Sequence, residues 1–435
     1  MKNYIIYLPL VLLFLTTACK PKYIEPSYSK GDIIPDNFIM VGGGHSAGYM
    51  DDALYREGQE NSLANLLAKQ LRKVGLPEFY QPLVNESSVG IGITGLAAFK
   101  LGYKTDCKGV SSISPVRVAA TGDLNIYNDN LFSASQRFGN YGIPGLKLMD
   151  ISTDSFALQN RYFGRMASSP TTTVLQDAID VNPTFFALFL GVEDVLEFAK
   201  SGGTSVLPEV TDFLITYTTL AQSLSAGGAK GVIATIPDVT QMPYFTTIPW
   251  NGLTLDSASN VTLNSIYNAL GFNFVVGSNP FMIIDTAANM FAVRQIFSDE
   301  LLCLSLPLDS VKCNQMGVLF PIRDEFVLDR NELIELRAKI EAYNTMIRSI
   351  ALDYNLAIVE TANFTNKLVS GFVYNGVSMS AKFVSGGAYS LDGIHFNPKG
   401  NALLANEFIG AINNKFNASI PLLNAVDYRS IFFPN

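Results

Sequence analysis

The sequence predicts an α/β protein built on a doubly wound, mostly parallel sheet with inserted loop and hairpin regions. Two observations carry that reading. Short apolar runs recur along the chain, separated by segments with helical periodicity. The runs are apolar at consecutive positions, as in "PTFFALFLG" at 183–191, which is the pattern of strands covered on both faces.

The predicted parallel strands are 38–42, 184–190, 231–236 and 356–360. After the first comes a helix over Glu60 to Val74, with Leu63, Leu66, Leu67 and Leu71 on one face. "SVGIGITGLAAFKLGY" and "SSISPVRVAATG" are rich in glycine and β-branched residues and read as an inserted hairpin or loop region at about 85–135. The second strand leads to a helix over Glu209 to Leu224, and the third, in "KGVIATIP", stops at Pro237. From 253 to 321 the periodicity weakens. Residues Ser257 to Ile284 carry no charge, yet their Asn, Ser and Gly rule out a membrane span, so the stretch reads as an inserted subdomain. Asp329 to Ala351 is an amphipathic helix on Leu333, Leu336, Ile340, Tyr343, Ile347 and Ile350. The last strand precedes a helix from Pro398 to about Asn413, with its proline in the first turn, where a missing N–H costs little.

With 435 residues, 48% of them hydrophobic, the chain can bury a large core, and residues 38–435 read as one domain with the two insertions. Net charge is −8 and no basic stripe is present, which argues against nucleic acid as a partner.

Residues 1–18 read as a signal peptide: Lys2, an apolar run from Ile5 to Leu15, then Thr16-Thr17-Ala18. The run is too short to remain as a span. Cys19 directly after the small residues resembles a bacterial lipoprotein signal, with Thr16 in the position usually held by an aliphatic residue. That resemblance implies lipidation of Cys19; an ordinary signal peptide with an incidental cysteine is the alternative. Residues 19–37, rich in Pro, Lys and Ser, read as a tether. Lys20, rather than Asp, implies sorting to the outer membrane, on an undetermined face. Of the other cysteines, Cys303 and Cys313 are close in sequence and are expected to pair, closing a short loop worth about 2–3 kcal/mol. Buried free thiols are the alternative.

"FIMVGGGHSAGY" contains G-x-S-x-G, which makes Ser46 a candidate nucleophile. Such an elbow belongs after several strands, and here one precedes it. Near the C-terminus, Asp392-Gly-Ile-His395 places an aspartate and a histidine three apart before a helix, where a carboxylate can orient an imidazole base. At these blocks the chain resembles the SGNH or GDSL hydrolases, over most of its length from Phe38. "VGGGHSAGY" stands where that family usually reads V-G-[DN]-S-L-[TS]-A-G-Y. Val41, Gly42, Ala47, Gly48 and Tyr49 match; Gly44 takes the nucleophile's position and His45 the leucine's. "NYGIPG" resembles the second block, with Gly145 as the oxyanion glycine, and Gly191-Val192-Glu193-Asp194 the third, with Glu193 in place of the asparagine.

The resemblance implies a flavodoxin-like SGNH fold and a degenerate site at Gly44, Gly145, Glu193, Asp392 and His395. Losing one oxyanion donor costs about 10²–10³ in rate, and losing the serine removes covalent catalysis. Ser46 remains as a minor candidate nucleophile, or as a cap for the helix that follows. His45, His395, Asp392 and Glu193 could in principle ligate Zn²⁺, but no H-x-x-x-H spacing supports it. No metal or cofactor is expected. The expected function is a catalytically degenerate outer-membrane lipoprotein that binds or scaffolds within a complex of β-barrel proteins and associated lipoproteins. The aromatic content and the insertions suit a docking surface. The alternatives are an active esterase or acetylhydrolase on lipid or glycan esters, and a carbohydrate- or lipid-binding module using the vacated cleft.

Overall fold

Five parallel strands form the central sheet of the computed structural model, which describes residues 27–433 apart from residue 289. The signal segment, Cys19 and the start of the tether lie outside the described residues. The strands are β1 (Phe38–Gly42), β2 (Asn140–Gly142), β3 (Phe185–Phe189), β4 (Lys230–Ala234) and β5 (Ala357–Val359). Their spatial order is β5-β4-β3-β1-β2, all pairs parallel. The chain leaves β1 toward one edge for β2, then returns to the other side of β1 for β3. In this order, the doubly wound flavodoxin-like one, the crevice beyond the carboxyl ends of β1 and β3 is where such sheets place their sites.

β1 and β3 are fully buried, as their unbroken apolar runs require. β2 is the strand that sequence patterning missed. It has three residues, two of them Asn140 and Gly142, and only its register against Met40 to Gly42 makes it a strand. Helices α1 (Leu63–Leu71) and α5 (Pro398–Phe416) pack together on one face. The other face holds α2 (Val192–Lys200), α3 (Val210–Ser225) and α4 (Arg330–Asp353). The predicted helix over 60–74 is broken at its start because Ser62 caps α1, accepting from the Asn65 N–H at 3.1 Å. α4 begins with the capping box that Asp329 and Glu332 spell, at 2.9 and 2.7 Å. Phe213 of α3 stacks on Tyr343 of α4 with ring centroids 4.1 Å apart. No helix among the described residues is long and apolar enough to cross a membrane.

The first insertion contains an antiparallel hairpin, Phe99–Thr105 with Ser111–Arg117. The second, with residues up to Val327, builds a lobe around its own apolar cluster, including Leu263, Tyr267, Met282 and Leu302.

The expected Cys303–Cys313 bridge is not formed. The disulfide joins Cys107 at the hairpin tip to Cys313, with Cα atoms 6.4 Å apart and 206 residues between them in sequence, and Cys303 is free. Cys303 is fully buried in the main core, its thiol 3.7 Å from the Ala199 carbonyl. The short helix Leu308–Cys313 meanwhile carries Cys313 outward to the hairpin. Lys104–Asp309 at 2.9 Å and Lys312–Asp106 at 2.8 Å flank the bond. Nearness along the chain misled because the fold, rather than the spacing, aligned the two β-carbons. Cys107→Ser is expected to lower stability by about 2–5 kcal/mol, measured by urea unfolding. Peptide mapping without reductant should link Cys107 to Cys313 and leave Cys303 alkylated only after unfolding.

Candidate active site

Beyond the end of β1 the chain turns through Gly42-Gly43-Gly44, and beyond β3 through Gly191 into α2. Glu193, in the first turn of α2, reaches back across this crevice and accepts a hydrogen bond from the Gly44 N–H at 2.9 Å. A β-carbon on Gly44 would lie 2.3 Å from His395 Nε2 and 3.2 Å from Glu193 Oε1. The volume a serine side chain would need is therefore occupied, from one side by an imidazole and from the other by a carboxylate.

His395 is held from behind. Its Nδ1 pairs with Asp392 Oδ2 at 2.9 Å. The other oxygen, Oδ1, accepts from Ser390 Oγ at 2.8 Å, Ile394 N at 2.9 Å and His395 N at 2.8 Å. The Asp52 N–H adds a bond to Oδ2 at 3.2 Å. Burial opposes ionisation of Asp392, but the imidazole and these donors outweigh it and hold the carboxyl well below its usual range. For His395, burial is again the largest influence and disfavours charge; Asp392, with Glu193 across the crevice, reverses it and raises the imidazole above its ordinary value. His395 Nε2 is buried and has no hydrogen-bond partner among the described residues.

His45 is buried with its ring 4.9 Å from His395 and 5.3 Å from Phe396. Burial first, then the neighbouring His395, push it down to about 3. It packs as an aromatic. Unfolded, it takes up a proton below about pH 6.5; folded, it does so only near pH 3. The unfolded state thus binds more protons in between, and stability falls as pH drops through that window. His45→Leu is expected to gain stability over wild type by a few kcal/mol at pH 4.5 relative to pH 7.5, read from urea midpoints at both.

Gly44, Gly145, Glu193, Asp392 and His395 all line one cleft of about 100 Å³, together with Tyr49, Asp52, Thr94 and Lys200. Ser46 does not line it. Its side chain is fully buried and packs toward Gly42, and its Oγ has no partner among the described residues, so the expected helix-capping bond is not made either. Among the described residues no group of three or more His, Cys, Asp or Glu could hold a metal ion.

Sequence reasoning passed over Asp51 and Asp52. Both sit at positive φ, 54° and 57°, a costly conformation for non-glycine residues. Asp51 accepts from Leu391 N at 2.8 Å and from Tyr55 Oη at 2.6 Å, while its own N–H donates to Ser390 Oγ at 3.0 Å. Asp52 accepts from Tyr49 Oη at 3.1 Å and pairs with Arg117 of the hairpin at 2.5 Å. The pair clamps the Ser390–Asp392 loop to the first block. The signal was two adjacent aspartates after a glycine-rich turn, residue types that tolerate the left-handed region. Asp194 ties the other two blocks: it accepts from Leu148 N at 2.8 Å, close behind Gly145, and burial pushes it up to about 7.

No family model matches this chain, and no curated protein matches it. Two solved structures resemble it. One is an alpha/beta hydrolase enzyme from the metagenome of Lake Arreo, Spain, 14% identical, covering 64% of this chain and 72% of its own, with a TM-score of 0.29. The other is a GDSL-like lipase candidate from Parabacteroides merdae, 10% identical, covering 88% of this chain and 97% of its own, with a TM-score of 0.34. Likenesses this distant say nothing of what the chain does. The α/β class rests on the chain's own sheet and its strand order.

Proposed function

We propose that this chain is an SGNH/GDSL-like hydrolase scaffold that has lost its hydrolytic chemistry. It serves as a lipid-anchored binding or scaffolding subunit of an outer-membrane complex containing β-barrel protein. One observation carries the loss: the Gly44 N–H, which would stabilise an oxyanion, is bonded at 2.9 Å to the protein's own Glu193 carboxylate. No side chain on residue 44 offers a nucleophile, and Ser46 faces the core rather than the cleft. Asp392 and His395 keep the geometry of an orienter and base, but nothing stands in front of the base to be deprotonated. The pair then acts as a structural clamp between the last loop and the first block. The anchor and its membrane follow from the N-terminal resemblance.

The test is hydrolysis of p-nitrophenyl acetate by the purified protein, alongside labelling by a fluorophosphonate. Neither is expected above background. Turnover that Ser46→Ala abolishes would overturn the reading.

A further inference from the structure

We propose that the cavity at the root of the hairpin binds a medium-chain acyl carboxylate, its chain against the apolar walls and its head group on Lys100. The cavity measures about 360 Å³, within the ~300–1,000 Å³ of small-molecule sites. It is separate from the cleft. Among the described residues none lines both; of two neighbours in the last loop, Leu391 lines the cavity and Asp392 the cleft. The proposal therefore stands whether or not the cleft is catalytic.

Backbone hydrogen bonds build the apolar wall. Ala98 N donates to the Val89 carbonyl at 3.1 Å and Val118 N to the Ala98 carbonyl at 2.9 Å, so these three residues lie side by side. Phe99 N donates to the Asp51 carbonyl at 2.8 Å and joins that wall to the strained turn of Asp51 and Asp52. The C-terminal tail contributes Ile431 and Phe432. It is pinned in place: Arg429 Nη2 donates to Glu57 Oε2 at 2.8 Å, Lys399 N to the Arg429 carbonyl at 3.1 Å, and Ser430 Oγ to the Gly387 carbonyl at 3.1 Å. The walls are thus preformed, as small-molecule sites usually are. Yet Val89 is 37% exposed, Val118 38% and Phe432 70%, although all three line the same hollow. That leaves converging apolar surface in water, which an acyl chain would cover.

The charges choose the head group. Asp51 already accepts from Leu391 N and Tyr55 Oη, and Glu57 is paired with Arg429, so two carboxylates and a guanidinium of the lining are committed. Lys100 is the exception: it is exposed, and its ammonium has no partner among the described residues. A lone cation on an apolar hollow complements an anion carried on an apolar chain. One ammonium balances the single charge of a carboxylate better than the roughly −1.5 to −2 of a phosphate monoester. At roughly 30 Å³ per non-hydrogen atom, the share of a water in its liquid, the cavity holds about a dozen, the size of decanoate.

Titration calorimetry of the purified full chain with decanoate is expected to show one saturable site per molecule. Decanol lacks the charge, acetate lacks the chain and decyltrimethylammonium reverses the charge; each should bind at least about tenfold more weakly. Lys100→Ala is expected to weaken decanoate binding at least about tenfold and to leave decanol unchanged, while Lys100→Arg retains both. Val118→Trp, which fills the hollow, should abolish decanoate binding. Both side chains are exposed, so these variants are expected to unfold at the wild-type temperature. Absence of saturable decanoate binding overturns the proposal. So does binding that either Lys100→Ala or Val118→Trp leaves intact, or decanol binding as tight as that of decanoate. Binding lost in Thr94→Trp, which obstructs the cleft, and kept in Val118→Trp would put the ligand in the cleft and overturn it too.

Discussion

The double variant Gly44→Ser/Glu193→Asn is expected to hydrolyse p-nitrophenyl acetate at least about 10²-fold faster than wild type and to be labelled by a fluorophosphonate on residue 44. Each half is needed. Gly44→Ser alone supplies a hydroxyl, but its β-carbon falls 2.3 Å from His395 Nε2, and Glu193 still holds the Gly44 N–H. The imidazole must give way to that carbon, and Glu193→Asn removes a carboxylate that favours its charged form and crowds the same space. Glu193→Asn alone frees the oxyanion donor and converts a repelling charge into an amide donor, with no nucleophile to use it. Together they place a serine before a histidine already oriented by Asp392. Labelling of the double variant and of neither single variant is the expected pattern. An inert double variant with unchanged stability would show that the cleft is wrong in more than these two residues.

Asp392→Ala is expected to cost at least about 4 kcal/mol, because buried donors left without an acceptor cost about 1–3 kcal/mol each. Ser390 Oγ and the N–H groups of Ile394 and His395 all lose Oδ1, and the His395 ring loses Oδ2. Asp392→Asn keeps one oxygen for the three Oδ1 donors and should cost less than half as much. The pH dependence separates the pair from general acid sensitivity. His395 is raised, so its contribution is complete below about pH 6.5 and is lost as pH rises through the folded value. Asp392 is lowered, so its contribution is present above about pH 3.9 and is lost as pH falls through the folded value. The wild-type advantage over Asp392→Asn is therefore greatest between those limits and declines on the alkaline side, as urea unfolding at pH 5.5 and pH 9 would show.

Much of the scaffold was legible because burial on both faces leaves unbroken apolar runs. β1, β3, β4 and β5 were placed within two residues of their observed ends, and α3 and α4 likewise. β2 was not legible, since an edge strand of three residues borrows its conformation from the neighbour it pairs with. The five residues expected at the site converge on one cleft because Gly44, Gly145 and Glu193 follow strands of the parallel sheet at their carboxyl ends, and the loop before α5 brings Asp392 and His395 to the same end. Asp51, Asp52 and Arg117 were passed over: their roles depend on a strained turn and a hairpin that meet only in the folded chain.

By itself, the sequence determined the alternation of strand and helix, the absence of a side chain at residue 44, and a carboxylate at residue 193. Those are properties of residue identity and local spacing. Tertiary structure decided that Glu193 closes on the Gly44 N–H, that Ser46 turns inward, and that Cys107 reaches Cys313 rather than leaving Cys303 to do so. The first and the last are distances of a few ångströms between residues far apart in sequence, 149 positions for Gly44 and Glu193 and 206 for the two cysteines. Such distances are set by how helices and insertions pack on the sheet, and no pattern within a short window of sequence encodes them.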